Sequence, residues 1–166
     1  MRIPILSASF LILLAIVACK KDQMATGTDK ELYDMAVSEA GFTWYKNSNS
    51  LLNKSSGSGH SQPFLRTRYN SVSAARLDQA GKVISGTIFP EGSLIVKELW
   101  DNSESLGRYA ILYKQTSHPD SDDKGWVWGY INSDGTVAEP AARKGSSCNS
   151  CHSQAGNIDY LLMNIY

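Results

Sequence analysis

The sequence predicts an α+β domain, mainly antiparallel β-sheet, with an N-terminal helix and a short helix at a CxxCH motif near the end of the chain. Three observations carry that expectation. Residues 93–100 (SLIVKELW), 108–116 (RYAILYKQT) and 125–132 (GWVWGYIN) are runs of β-branched, aromatic and other apolar residues bounded by turn formers, the composition that a pleated, half-buried surface selects. Helical spacing of apolar residues is confined to a short stretch near the start. Nothing resembles the alternation of strands and helices that marks a parallel α/β fold.

Residues 1–18 have a basic residue at Arg2, an apolar run over 10–18 and small residues leading to Cys19, the layout of a secretory signal. Ile16-Val17-Ala18-Cys19 resembles a bacterial lipobox, in which the cysteine is lipidated and becomes the first mature residue. An uncleaved membrane anchor is the alternative, but a spanning helix needs about 20 apolar residues, and Lys20, Lys21 and Asp22 end the run early. Several acyl chains, at about 0.8 kcal/mol per buried methylene, hold a protein on a bilayer without crossing it. The expectation is an exported protein, lipid-anchored through Cys19 to a bacterial membrane on its periplasmic or cell-surface side.

Residues 19–28 are polar and read as a tether, and residues 29–166 as one domain, long enough to bury a core. Asp29 is placed to cap a helix in which Leu32, Met35, Ala36 and Ala40 recur at helical spacing, with Gly41 at its stop. Residues 47–62 contain SSGSGHSQP and read as a mobile loop carrying His60. Residues 67–73 are expected to be extended and AARLDQ, directly after, to form a helical turn. The three strands follow, the last two separated by SHPDSDDKG, with a tight turn at Ser133-Asp134-Gly135. Residues 159–166 (DYLLMNIY) are a final candidate strand.

The chain has 16 acidic and 16 basic residues, with no basic stripe, which argues against nucleic acid and against electrostatic recruitment to a membrane. It has three cysteines. With Cys19 given to lipid, Cys148 and Cys151 have no partners elsewhere, so a disulfide scaffold is excluded.

The chemistry lies in Cys148-Asn149-Ser150-Cys151-His152. In a c-type cytochrome two thiols add to the haem vinyl groups and the next histidine coordinates iron, so all three sit on one helical turn. CNSCH meets that requirement. A structural zinc site needs four ligands and would recruit both His60 and His118, which lie in Ser- and Asp-rich loops where solvent exposure is expected. A redox dithiol needs its CxxC at a helix start within a parallel α/β pattern. One covalent haem c is therefore favoured, held by Cys148 and Cys151, with His152 as axial iron ligand. Only 14 residues follow His152; Met163 is the methionine among them, and core packing is the commoner use of methionine. His60, His118, Met24 and Met35 remain as distal candidates, and a five-coordinate iron is favoured over a six-coordinate one.

From Arg66 to the C-terminus, three blocks in order, FPEGSLIVKEL, GWVWGY and CNSCHSQAGNIDYL, resemble the cytochrome P-460 family and its relatives the cytochromes c′-beta. The resemblance implies a small, exported, mostly antiparallel β protein, often dimeric, with a five-coordinate haem. It implies the same roles for Cys148, Cys151 and His152. It also implies a choice. Cytochromes P-460 carry an extra bond from a lysine to the porphyrin edge and oxidise hydroxylamine, whereas the c′-beta proteins lack it and bind nitric oxide in an apolar pocket. Lys97 in IVKEL is the position matched to that crosslink, with Lys82 as second candidate; the alternative is an exposed strand lysine beside Glu98.

Trp126, Trp128 and Tyr130 share one face of their strand and Val127 and Ile131 the other; such a stripe is more often core or dimer interface than haem wall. Phe89 is a candidate distal cap. Arg66, Arg68 and Glu98 are candidates for polar haem contacts, with surface charge as their ordinary reading. Three functions compete: oxidation of hydroxylamine or a related nitrogen species with electrons leaving to a redox partner protein, nitric oxide binding without turnover, and electron transfer at the membrane surface. A distal acid or base favours the first, an apolar cap the second and a sixth protein ligand the third.

Overall fold

The computed structural model describes residues 23–161; the expected signal segment at 1–18, Cys19 and Met163 lie outside the described residues. In chain order the elements are α1 (Gly27–Val37), β1 (Thr43–Trp44), β2 (Leu52–Asn53), β3 (Phe64–Tyr69), α2 (Ser71–Ala74), β4 (Leu94–Trp100), β5 (Leu106–Lys114), β6 (Trp126–Asn132), β7 (Val137–Glu139) and α3 (Asn149–His152). The strands form one seven-stranded antiparallel sheet in the order β1-β3-β4-β5-β6-β7, with β2 also on β3. The expected α+β class is what the chain adopts, and the three long strands lie where their composition puts them. No helix among the described residues is long and apolar enough to cross a membrane.

Strand side chains alternate between two faces, and both faces of this sheet are covered. On one, Leu94, Val96, Tyr109, Ile111, Val127 and Ile131 pack against Leu32 and Ala36 of α1. The helix comes close over β6 at Gly129, where a Cβ would lie 3.0 Å from Leu32 and 3.2 Å from Ile111. On the other face Tyr69, Ile95, Leu112, Trp126 and Trp128 form a second core with Phe89, Ile158 and Leu161. The second face carries the site.

Local expectations fail where distant residues intervene. Asp29 does not cap α1: the cap position is Thr26, and the Asp29 carboxylate accepts the Ala141 backbone N–H at 2.8 Å instead. The ordered fold starts before Asp29, since Met24 bridges Thr136 and Val137 N–H donates to Gln23. Ala40 and Gly41 lie beyond the helix, which ends at Ser38 in extended backbone. The 47–62 segment is not loop throughout, because Leu52 and Asn53 pair with Leu65 and Phe64. Residues 67–73 split between β3 and α2, and α2 starts three residues before AARLDQ because Asn70 caps it through Ser73 N–H. The candidate strand at 159–166 is absent from its described part: Asp159 and Tyr160 take φ of 44° and 70°, and Ile158 and Leu161 close a turn around them.

Arg66, Arg68 and Glu98 face α1, on the side of the sheet away from the cysteines, and are not surface charges. Arg68 and Glu98 are 0% and 1% exposed. Arg68 donates to the Glu98 carboxylate and to the Ala36 carbonyl near the end of α1, where the helix dipole is negative. Arg66 stacks between Trp44 and Trp100. The network ties the helix to the sheet.

Candidate functional site

The cysteine turn is set by the backbone before it. Lys144 and Gly145 take left-handed φ of 51° and 65°, and a Cβ on Gly145 would lie 2.7 Å from the Trp128 ring, so only glycine lets the chain pass the indole there. The next turns are closed by Cys148 N–H to Gly145 at 2.8 Å, Cys151 N–H to Cys148 at 3.2 Å and His152 N–H to Cys148 at 3.1 Å. The two thiols and the imidazole therefore share one helical turn, as the spacing predicts. Both cysteines are free thiols, Cys148 half-buried and Cys151 exposed. Burial pushes the Cys148 thiol up, away from the thiolate that a redox dithiol exploits.

His152 is fixed in tautomer as well as in place. Its Nδ1 lies 2.6 Å from the Tyr160 carbonyl oxygen. A carbonyl only accepts, so Nδ1 carries the proton and Nε2 keeps a lone pair for a metal. The ring meets Trp128 edge-on, 5.0 Å between centroids at 89°. Burial first, opposed by the Tyr160 carbonyl and aided by the charge of Lys97, pushes its pKa down to about 4. The ring is neutral near pH 7, the form that coordinates iron.

Beside this turn lies a cavity of ≈ 310 Å³, within the range of small-molecule and cofactor clefts, about 300–1,000 Å³. Strand register arranges its sheet wall in rows. One row runs Ile95, Leu112 and Trp128, each paired with the next and continued into the core by Tyr69; it is apolar, and Trp128 packs against His152. The next row on the same face runs Thr67, Lys97, Ala110 and Tyr130. All four line the cavity. Lys97, whose alternative was an exposed lysine, is 8% exposed and lies on the wall of the same cavity as Cys148, Cys151 and His152. Trp128 and Tyr130 are cavity wall, while Trp126 is core, packed on Phe89 at 5.9 Å.

His60 is the residue whose surroundings differ most from expectation. Pairing of β2 with β3, continued by Lys54 N–H to the Pro63 carbonyl at 2.7 Å, turns residues 55–60 back so that Ser55, Gly57, Ser58, Gly59 and His60 line the cavity. The His60 ring stacks on Tyr130 with centroids 5.8 Å apart at 28°, and its Nδ1 is 3.3 Å from the Tyr130 hydroxyl. Lys54 Nζ donates to the His60 carbonyl at 2.9 Å. The Arg108 guanidinium lies over the ring of that tyrosine, 4.4 Å from its centroid. Burial, with the charge of Lys97 next in weight, pushes the His60 pKa down to about 3. Sequence reasoning kept His60 among the distal candidates and placed Trp128 and Tyr130 on one face, but gave no reason to bring His60 against Tyr130.

The other candidates lie elsewhere. His118 accepts the Asp120 N–H within its own turn at 3.0 Å. Phe89 is 1% exposed in the core and is not a cap. Met35 packs with the α1 face, Met24 is 59% exposed and Lys82 is exposed. None of these five lines the cavity. Among the described residues no group of three or more His, Cys, Asp or Glu side chains is gathered to hold a metal ion, and the four-ligand zinc site needs such a group.

A haem needs a protein ligand to iron, an apolar wall and cations for its carboxylates, and a c-type haem would need in addition two thiols on one turn. The chain supplies His152, Cys148 and Cys151, the apolar side chains of Ile95, Leu112 and Trp128, and Arg108 on the lining. The donor set and cavity fit the group, and together with the sheet they define a haem-binding cytochrome. The family model for cytochrome P460 matches residues 44–163, and the chain belongs to the cytochrome P460 family. No curated protein and no solved structure matches it.

Proposed function

We propose that this protein is an exported, lipid-anchored cytochrome carrying one c-type haem, and that it binds and oxidises a small polar nitrogen species of the hydroxylamine class. The observation that carries the reading is the polar row of the cavity, Thr67, Lys97 and Tyr130, with His60 stacked upon it. An apolar pocket suits nitric oxide; a wall of hydrogen-bonding groups suits a ligand with N–H and O–H bonds.

Haem supplies an iron site for a small ligand and an acceptor for its electrons. Cys148 and Cys151 would hold the group by thioethers. His152 would ligate through Nε2, oriented by the Tyr160 carbonyl at 2.6 Å, an arrangement that also raises the basicity of a ligating imidazole. Trp128 packs edge-on against the His152 ring. Ala110, between Lys97 and Tyr130 in register, leaves room beside their longer side chains. Lys97 is the residue for the additional porphyrin bond that the family resemblance implies. A redox partner protein at the membrane surface would accept the electrons.

The test begins with expression alongside the c-type maturation machinery. A denaturing gel stained for haem peroxidase activity should show a band that vanishes in the Cys148→Ala/Cys151→Ala variant. The purified protein should have a high-spin ferric spectrum and reduce an electron acceptor when given hydroxylamine. Nitric oxide binding without turnover would select the c′-beta type instead. A haem-peptide mass unchanged by Lys97→Ala would remove Lys97 from the crosslink. A second reading, electron transfer with His60 as sixth ligand, rests on the presence of a second imidazole on the cavity lining, and a low-spin spectrum in both oxidation states would select it.

A further inference from the structure

The His60 and Tyr130 pair has no place in haem attachment, yet it is built with care. The ring of His60 is held at two points, by its stack on Tyr130 and by the Nδ1 contact with the tyrosine hydroxyl at 3.3 Å, while Lys54 holds its backbone carbonyl at 2.9 Å. Tyr130 is held in turn by the Arg108 guanidinium over its ring at 4.4 Å, and Arg108 by Asn132 at 2.7 Å. A loop rich in Gly and Ser does not hold a ring this way by composition. The tyrosine engages Nδ1, so Nε2 is the nitrogen left for a ligand.

We infer that His60, held by Tyr130, sets ligand specificity: its Nε2 exchanges a hydrogen bond with a small ligand bearing N–H or O–H, so the site prefers hydroxylamine-like molecules to apolar diatomics. Its position supports this. Trp128, which touches His152, and Tyr130, which touches His60, are two residues apart on β6 and point to the same face, about 6.8 Å along the strand. The strand therefore offers the iron ligand and the hydrogen-bonding imidazole at successive steps of one wall. Between Tyr130 and Lys97 stands Ala110, so the ligand space opens where the polar groups are. A neutral imidazole with so low a proton affinity is a poor general base, since useful bases titrate near the working pH; it is well suited to orient a ligand by hydrogen bonding.

The inference rests on the haem reading above, and its test separates the two. In holoprotein, His60→Ala and Tyr130→Phe are titrated with hydroxylamine in the ferric state and carbon monoxide in the ferrous state, following the optical spectrum. Loss of one hydrogen bond corresponds to about a tenfold loss of affinity, so His60→Ala should weaken hydroxylamine about tenfold and carbon monoxide much less, with a smaller effect of the same kind from Tyr130→Phe. His60→Gln, which keeps a donor and an acceptor, should recover part of the loss. Equal losses for both ligands, or none, would overturn the inference while leaving the open iron intact. A low-spin wild-type spectrum that turns high-spin in His60→Ala would make His60 an iron ligand and overturn both. Tyr130→Phe keeps the measurement decisive if His60→Ala does not fold.

Discussion

His152 and Tyr160 are joined by a hydrogen bond of 2.6 Å from Nδ1 to the carbonyl oxygen, and that carbonyl is aimed by backbone that would not hold its shape alone. Asp159 and Tyr160 both have left-handed φ, 44° and 70°. Non-glycine residues keep such conformations where tertiary contacts over-determine them. Here the Asp159 carboxylate accepts from Lys114 Nζ at 3.2 Å and from Phe89 N–H at 2.8 Å, and its carbonyl accepts Trp126 Nε1 at 3.1 Å.

Asp159→Ala should therefore act in two ways. The side chains of Lys114 and Asp159 are only 8% and 9% exposed, and breaking a buried pair by removing one partner costs about 3–5 kcal/mol, visible in urea unfolding. The turn should also relax, weakening the bond to His152 Nδ1 and making the imidazole a poorer donor to iron, so the haem midpoint potential should rise. A destabilised variant with an unchanged potential would show that Asp159 holds the fold and not the ligand.

Gly145→Ala tests the approach of the cysteine turn to Trp128. The new Cβ would meet the indole at 2.7 Å in a backbone of φ +65°, and strained φ alone costs about 1–3 kcal/mol. Reduced haem incorporation, read from the ratio of haem to protein absorbance, is expected, with partial recovery in Gly145→Ala/Trp128→Leu. Wild-type incorporation in the single variant would mean that the chain shifts there at little cost.

The pH dependence of stability should carry the signature of His60. Its pKa is held to about 3, chiefly by burial and then by Lys97, His152, Arg108 and Lys54, whereas an unfolded histidine titrates near 6.5. Between those values the unfolded chain binds a proton that the folded chain refuses, so stability is full above about pH 6.5 and falls as pH drops toward 3. The slope is at most about 1.4 kcal/mol per pH unit for a fully shielded ring, and smaller for this part-exposed one. Urea midpoints at pH 7, 5.5 and 4.5 should fall less steeply in His60→Gln than in wild type; parallel slopes would contradict the shift.

Membrane attachment turns on Cys19. Metabolic labelling with palmitate should tag the wild type and miss Cys19→Ser, which should appear in the soluble fraction. An unlabelled wild type released in soluble form would end the lipoprotein reading.

Features that depend on neighbours along the chain were legible from residue order alone. Two thiols and an imidazole spaced as CNSCH meet on one turn because helical geometry brings i, i+3 and i+4 together. The three long strands were legible because their composition suits a sheet that is covered on both faces. Tertiary structure decided what depends on register and on distant partners. A slip of one residue in β4 would exchange Lys97 for Glu98 at the cavity wall, and it is the pairing of Lys97 with Ala110 and Thr67 that sends the lysine inward and the carboxylate to Arg68. His60 reaches the cavity because Leu52 and Asn53 pair with Leu65 and Phe64, two ladder positions that a Ser- and Gly-rich stretch gave no reason to expect. Residues 159–161 turn back instead of extending because Lys114, Phe89 and Trp126 hold Asp159 from 33 to 70 positions away along the chain. Local periodicity carries no record of contacts made over such separations, since their free energy appears only once the sheet has assembled.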